Sequence, residues 1–175
     1  IYHDAKKGFP ARANVDANGK PLLSWRVHIL PYVEQDALYK EFHLNEPWDS
    51  EHNKKLIAKM PAIYRQPNGD SKEFKTNYLV PVAKGTIFET LQPCKLNSII
   101  DGTSTTIMVV EASLDRSVEW TKPDDLELDL AAPFKGLLGL RPNGFYAAFA
   151  DGSVQFLSEK VGAESLRGFL TKAGG

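Results

Sequence analysis

The side chains able to do chemistry are scattered along the chain. The densest group is acidic: Asp124, Asp125, Glu127 and Asp129 fall within one short run, PDDLELD. Hard cations take several oxygens from one loop, so this run is the candidate calcium site. It lacks EF-hand spacing, and a charge run also serves simply as a solvated face. Histidines His3, His28, His43 and His52 form no HxxxH or HxH pair, and no cysteine or acidic partner completes a zinc set. They read as surface or packing residues, with His28 a hydrogen-bonded boundary residue on the apolar side of a helix. Nucleophilic catalysis needs an activated serine or cysteine. There is no G-x-S-x-G, and Ser104 and Ser153 sit in turn-like contexts. Cys94 reads as a buried inert thiol and, being alone, forms no internal disulfide. Gly136 to Gly139 (GLLG) lacks the spacing and the preceding strand of a phosphate cradle. Asp151 resembles a catalytic aspartate, but with Gly152 it is what a tight hairpin turn prefers. Trp25, Trp48 and Trp120 are candidates for a ligand groove, although such rings are more often core or boundary anchors. No matched acid–base or nucleophile set is present, so the expectation is no enzyme and no cofactor, calcium being the one candidate.

The elements that must position these residues follow from periodicity and punctuation. Ile1 to Lys7 reads as the last turns of a helix closed by Gly8, and Asp16 to Lys20 (DANGK) as a surface link. Ser24 caps a helix that Pro31 kinks or splits, and Ala37 to Phe42 continues helically with Leu38, Tyr39 and Phe42 inward. Asp49 or Ser50 caps a helix from Glu51 to Lys59 that buries Leu56, Ile57 and Met60. Ile63 to Arg65, Thr76 to Val82, Thr86 to Glu89 and Ser117 to Trp120 read as strands, and Gln66 to Lys72 as a loop. Leu96 to Ile100 is a turn of helix closed by Asp101-Gly102. Thr105 to Glu111 (TTIMVVE) is nearly continuous and apolar, which predicts a strand central in a sheet. Phe145 to Ala150 and Ser153 to Leu157 form a β-hairpin across Asp151-Gly152, with a two-residue turn and Phe145, Ala147 and Phe149 on one face. Ala131 to Leu140 reads as loop and Ala163 to Lys172 as an amphipathic helix. Helices first and strands later predict an α+β fold with an antiparallel sheet.

With 175 residues, 42% of them hydrophobic and 25% charged, the chain suits one soluble globular domain spanning 1–175. A net charge of -1 gives no general attraction to nucleic acid or to an anionic membrane. No apolar run is long enough to span a bilayer, so a membrane anchor is expected only in an upstream segment.

Five ordered segments carry a family likeness: LSWRVHILPYVEQDALYKEF, NEPWDSEHNKKLIAKMP, IIDGTSTTIMVVE, VEWTKPDD and FADGSVQFL. They resemble a bacterial, planctomycete-type pseudopilin-like family of unknown function, also catalogued under a solute-binding-protein name. The resemblance implies a pilin-like fold, with an N-terminal helix packed on an antiparallel sheet and Ile1 to Lys7 as the tail of that helix. It implies a cell-envelope or extracytoplasmic setting, as in type II secretion and type IV pili, and a non-catalytic role through protein partners or self-assembly. The alternative it carries is a ligand-binding module. Relatives often bear a His, then nine residues, then Asp-Gly. Here Arg141 stands at that spacing before Asp151 and Gly152, and an arginine cannot ligate a metal as histidine does. Gln66 stands where relatives often have a cysteine, so a disulfide there is lost.

Overall fold

Residues 2–67 and 73–174 are described by the structure, a computed structural model. The chain starts in a short helix, α1 (Tyr2–Lys6), and passes into strands β1 (Ala13–Val15) and β2 (Pro21–Ser24), which pair antiparallel. Between them Asp16 Oδ1 accepts the N–H groups of Asn18 and Lys20, and Gly19 takes a φ of 80°. DANGK is therefore a hairpin turn, and strands precede most of the helices. Lys7 rather than Gly8 takes the left-handed position after α1, with φ 59°. Gly8 is needed for closeness instead, since a Cβ there would lie 3.3 Å from the Cys94 carbonyl oxygen.

Ser24 Oγ accepts the Arg26 N–H and caps α2 (Trp25–His28). Pro31 splits the helix as expected: a 3-10 turn, Leu30–Tyr32, separates α2 from α3 (Asp36–Glu41). The segment read as a helix from Glu51 is a 3-10 turn, Asn53–Lys59, begun by Ser50 Oγ accepting the Asn53 N–H. Ile63 to Arg65 is not a strand. It follows Pro61 in a further 3-10 turn, Ala62–Tyr64, which lets Tyr64 point inward while Ile63 and Arg65 stay exposed. The buried Tyr64 hydroxyl donates to the Arg26 carbonyl at 2.7 Å. Within the expected loop Gln66 to Lys72, residues 68–72 lie outside the described residues, as does Ile1.

Thr76 to Val82 is also corrected, from one strand to three fragments. These are β3 (Lys75–Thr76), β4 (Tyr78–Leu79) and β5 (Pro81–Val82). Side chains break the ladder: Asn77 turns its amide to the Ala112 carbonyl, and the Val80 N–H goes to Asp125 Oδ1. Pro81 has no N–H to offer. Thr86 to Glu89 is a turn rather than a strand, held by Glu89 Oε2 accepting the Gly85 N–H at 2.7 Å.

The remaining elements are β6 (Ile107–Glu111), β7 (Val118–Glu119), β8 (Leu126–Glu127), β9 (Gly144–Phe149), β10 (Val154–Ser158) and α4 (Gly162–Leu170). Strands run β10-β9-β6-β4 in a four-stranded antiparallel sheet, so β6 is interior, as its apolar run predicts. β3 pairs antiparallel with β7, and β5 pairs parallel with β8. The architecture is α+β with mainly antiparallel sheets. Phe145, Ala147 and Phe149 lie on the inner face and pack with Ile107, Leu166 and Leu170 in one core. Leu23, Val27, Phe42, Tyr64 and Trp120 centre a second core under the helical segment. At the β9–β10 turn the Gly152 N–H reaches the Phe149 carbonyl, and Gly152 alone has positive φ, 89°. The turn is thus a three-residue loop closed by a left-handed glycine, not a two-residue one.

Candidate binding cleft

The acidic run disperses instead of converging. The Asp125 side chain is buried, and its Oδ1 accepts from Arg26 Nη2 (2.6 Å), Val80 N (3.0 Å) and Trp25 Nε1 (3.2 Å). Asp124 pairs with Lys122, Glu127 with Arg12, and Asp129 Oδ1 accepts the Ala131 N–H. Among the described residues no group of three or more His, Cys, Asp or Glu is arranged to hold a metal ion. Arg26 is wholly buried and also donates to Tyr78 O and Ser24 Oγ. Burial pushes the Asp125 carboxyl up against the pull of Arg26. This ion pair ties α2 to β4 and to the segment entering β8. Burial likewise pushes the half-buried Cys94 thiol up, away from the reactive thiolate.

Arg141 and the Asp151-Gly152 pair stand at opposite ends of β9, so the structure does not bring them together. Arg141 forms a bidentate pair with Glu111, Nε to Oε2 at 3.0 Å and Nη2 to Oε1 at 2.7 Å, and lies over the Tyr146 ring. It staples the start of the hairpin to the end of β6. Asp151 Oδ1 accepts the Ser153 N–H, which holds its carboxyl below the usual range. Glu111 was not legible as a partner, because a lone acid ending an apolar strand does not reveal what it faces.

An apolar cleft lies between α1, α2 and the face of β6. It is a cleft of about 610 Å³ walled by Tyr2, Phe9, Trp25, Tyr32, Phe88 and Met108, with Gly152 of the hairpin turn also in its lining. The β6–β9 register shifts between Ile107 and Val109. Such a bulge re-aims the side chain within it, here Met108, toward the cleft while Ile107 stays in the core. The Tyr2 and Tyr32 rings meet edge to face at 4.9 Å and separate this cleft from a neighbouring one of about 320 Å³ lined by Asn14, His28 and Tyr39. Of the three tryptophans, Trp25 is the one in the lining of this cleft. Trp120 is wholly buried, and Trp48 is half-buried with the Lys122 ammonium near its ring.

His28 is half-buried, and its Nε2 faces Asn14 Oδ1 at 3.0 Å, the boundary role expected of it. Asn14 is oriented by its Nδ2 donating to the Leu44 carbonyl, so its Oδ1 accepts and His28 Nε2 donates. Burial pushes its imidazole below the ordinary value. The unfolded chain therefore takes up a proton more readily than the folded one. The stability that neutral His28 contributes is full above about pH 6.5 and is lost as pH falls from there through the lower folded value. Urea unfolding should show the midpoint falling from about pH 7 to about pH 5, and falling less in His28→Gln. An identical slope in the variant would refute this role.

Fold and site together define an α+β domain built around an aromatic, apolar cleft. The chain belongs to the family described as Protein of unknown function (DUF1559), catalogued under a solute-binding name, whose profile matches residues 1–78 and 57–132. Those segments hold the cleft walls apart from Gly152, and they end before Arg141. No curated protein and no solved structure matches the chain.

Proposed function

We propose that the chain is a non-catalytic structural and interaction domain of pseudopilin-like kind, acting on the extracytoplasmic side of a cell envelope through protein partners. The observation that carries this reading is the cleft. Its polar groups are the Tyr2 and Tyr32 hydroxyls and the His3 ring, set in a wall of aromatic and aliphatic carbon. Burial pushes the Tyr2 phenol up, so it stays a protonated donor and not a base. Such a lining favours the burial of apolar surface, about 25 cal/mol per Å². A cleft of about 610 Å³ also falls in the range of small-molecule sites, and this observation favours the second reading, a solute-binding module.

A photo-reactive residue in place of Tyr32, with Ile100 as an exposed control position, separates the two readings in the native cells. The interaction reading expects one defined protein adduct at position 32 and none at position 100. A small-molecule adduct at position 32 would move the assignment to solute binding, and no adduct there would defeat both.

A further inference from the structure

We infer that β10 is a docking edge that pairs antiparallel with β10 of a second copy of this chain. β10 is the outer strand of the four-stranded sheet. At its two ends the Phe149 N–H donates to the Ser153 carbonyl and the Glu159 N–H to the Asn143 carbonyl. Antiparallel ladders alternate, so Gln155 and Leu157 also turn their backbone groups toward β9. The N–H and C=O groups of Val154, Phe156 and Ser158 point away from it, and among the described residues no other strand pairs with them. Edges of this kind are usually blunted by lysine, proline or a bulge. β10 reads VQFLS, with none of these, and its β9 register is unbroken.

The side chains beside the edge favour a like partner. Seven large apolar residues are exposed among the described residues, and Tyr146, Val154 and Phe156 of this hairpin are three of them. Ile63, a fourth, lines the same shallow depression as Tyr146 and Val154. Two copies related by a two-fold axis at Phe156 would place Phe156 opposite its mate and Val154 opposite Ser158. Each outward N–H then meets an outward C=O, and the strand itself sets no charges against each other. Beyond its ends, the exposed Lys160 of one copy comes alongside the Asp151-Gly152 turn of the other, whose carboxylate is held ionised. Glu159 faces the neutral Ser153. The surface is thus complementary to itself in hydrogen bonding, apolar face and charge, and it adjoins the cleft only at the Asp151-Gly152 turn.

Sedimentation equilibrium on the purified chain tests this, with Val154→Pro and Phe156→Lys as variants at exposed positions. Val154→Pro deletes an outward N–H that β9 does not use. Phe156→Lys sets two ammonium groups face to face and should weaken the dimer at least about tenfold. The expected result is a concentration-dependent dimer in the parent chain and in Tyr32→Ala, and monomers in both β10 variants with unchanged circular dichroism. A parent chain that stays monomeric up to millimolar concentration overturns the inference. So does a dimer that survives in both β10 variants. If one β10 variant misfolds, the other decides.

Discussion

Asp125→Ala should destabilise the fold by about 3–5 kcal/mol, the usual consequence of stripping one partner from a buried ion pair. The side chains of Arg26 and Asp125 are 0% and 1% exposed and meet at 2.6 Å. Without the carboxylate the guanidinium keeps Tyr78 O, Ser24 Oγ and a long contact to Asp124 O, but no counter-charge. Trp25 Nε1 and the Val80 N–H lose their acceptor as well. Intact, the pair is not strongly stabilising. Burial lifts the Asp125 carboxyl above its usual value, and Asp125 Oδ2 has no hydrogen-bond partner, so desolvation offsets much of the attraction. It follows that replacing both residues with apolar ones, Arg26→Met with Asp125→Leu, should recover most of the loss. Urea unfolding of the two single variants and the double variant gives the coupling directly. Additive losses, with the double variant worst of all, would show that Arg26 and Asp125 act separately and would sink the argument.

How much of this was legible in the sequence depends on how far apart the interacting residues are. Elements decided locally came through: the Ser24 cap, the break at Pro31, the apolar β6, the hairpin around Gly152 and the closing helix α4. Elements decided at long range did not. Val80 gives its N–H to a side chain 45 positions away, which no reading of Thr76 to Val82 as a strand anticipates. Arg26, in a helix of four residues, has the pattern of a solvated charge. Its burial depends on Tyr78 and Asp125, 52 and 99 positions on. The acidic run was visible as a cluster in sequence but not in space, because Asp125 turns inward while its neighbours are taken up by Lys122, Arg12 and the local backbone. The cleft was the least legible feature. Trp25 was singled out as a groove candidate, but Tyr2, Phe9, Phe88 and Met108 come from separate segments and share no motif. Met108 reaches the cleft only through a register shift.

Trp120→Ala should cost about 3–5 kcal/mol, enough to lower the melting temperature by on the order of 10 °C in a chain of this size. Trp120 follows β7 directly, yet its ring leaves the sheet and enters the core beneath the helical segment. There it stacks on Tyr64 at 5.7 Å, meets Phe42 edge-on at 5.8 Å and donates from Nε1 to the Ile57 carbonyl at 2.9 Å. Alanine would leave a cavity among side chains from three separate segments and leave the Ile57 carbonyl without its donor. Trp120→Phe refills most of that volume without the N–H, so it should cost only about 1–2 kcal/mol. The comparison separates packing from hydrogen bonding. A loss below about 1 kcal/mol for alanine would mean that the site collapses freely and that the ring does not join the two layers. A tryptophan beside a polar strand reads more often as a core or boundary anchor than as a groove wall, and here Phe42, Ile57 and Tyr64, far away in the chain, place Trp120 in the core.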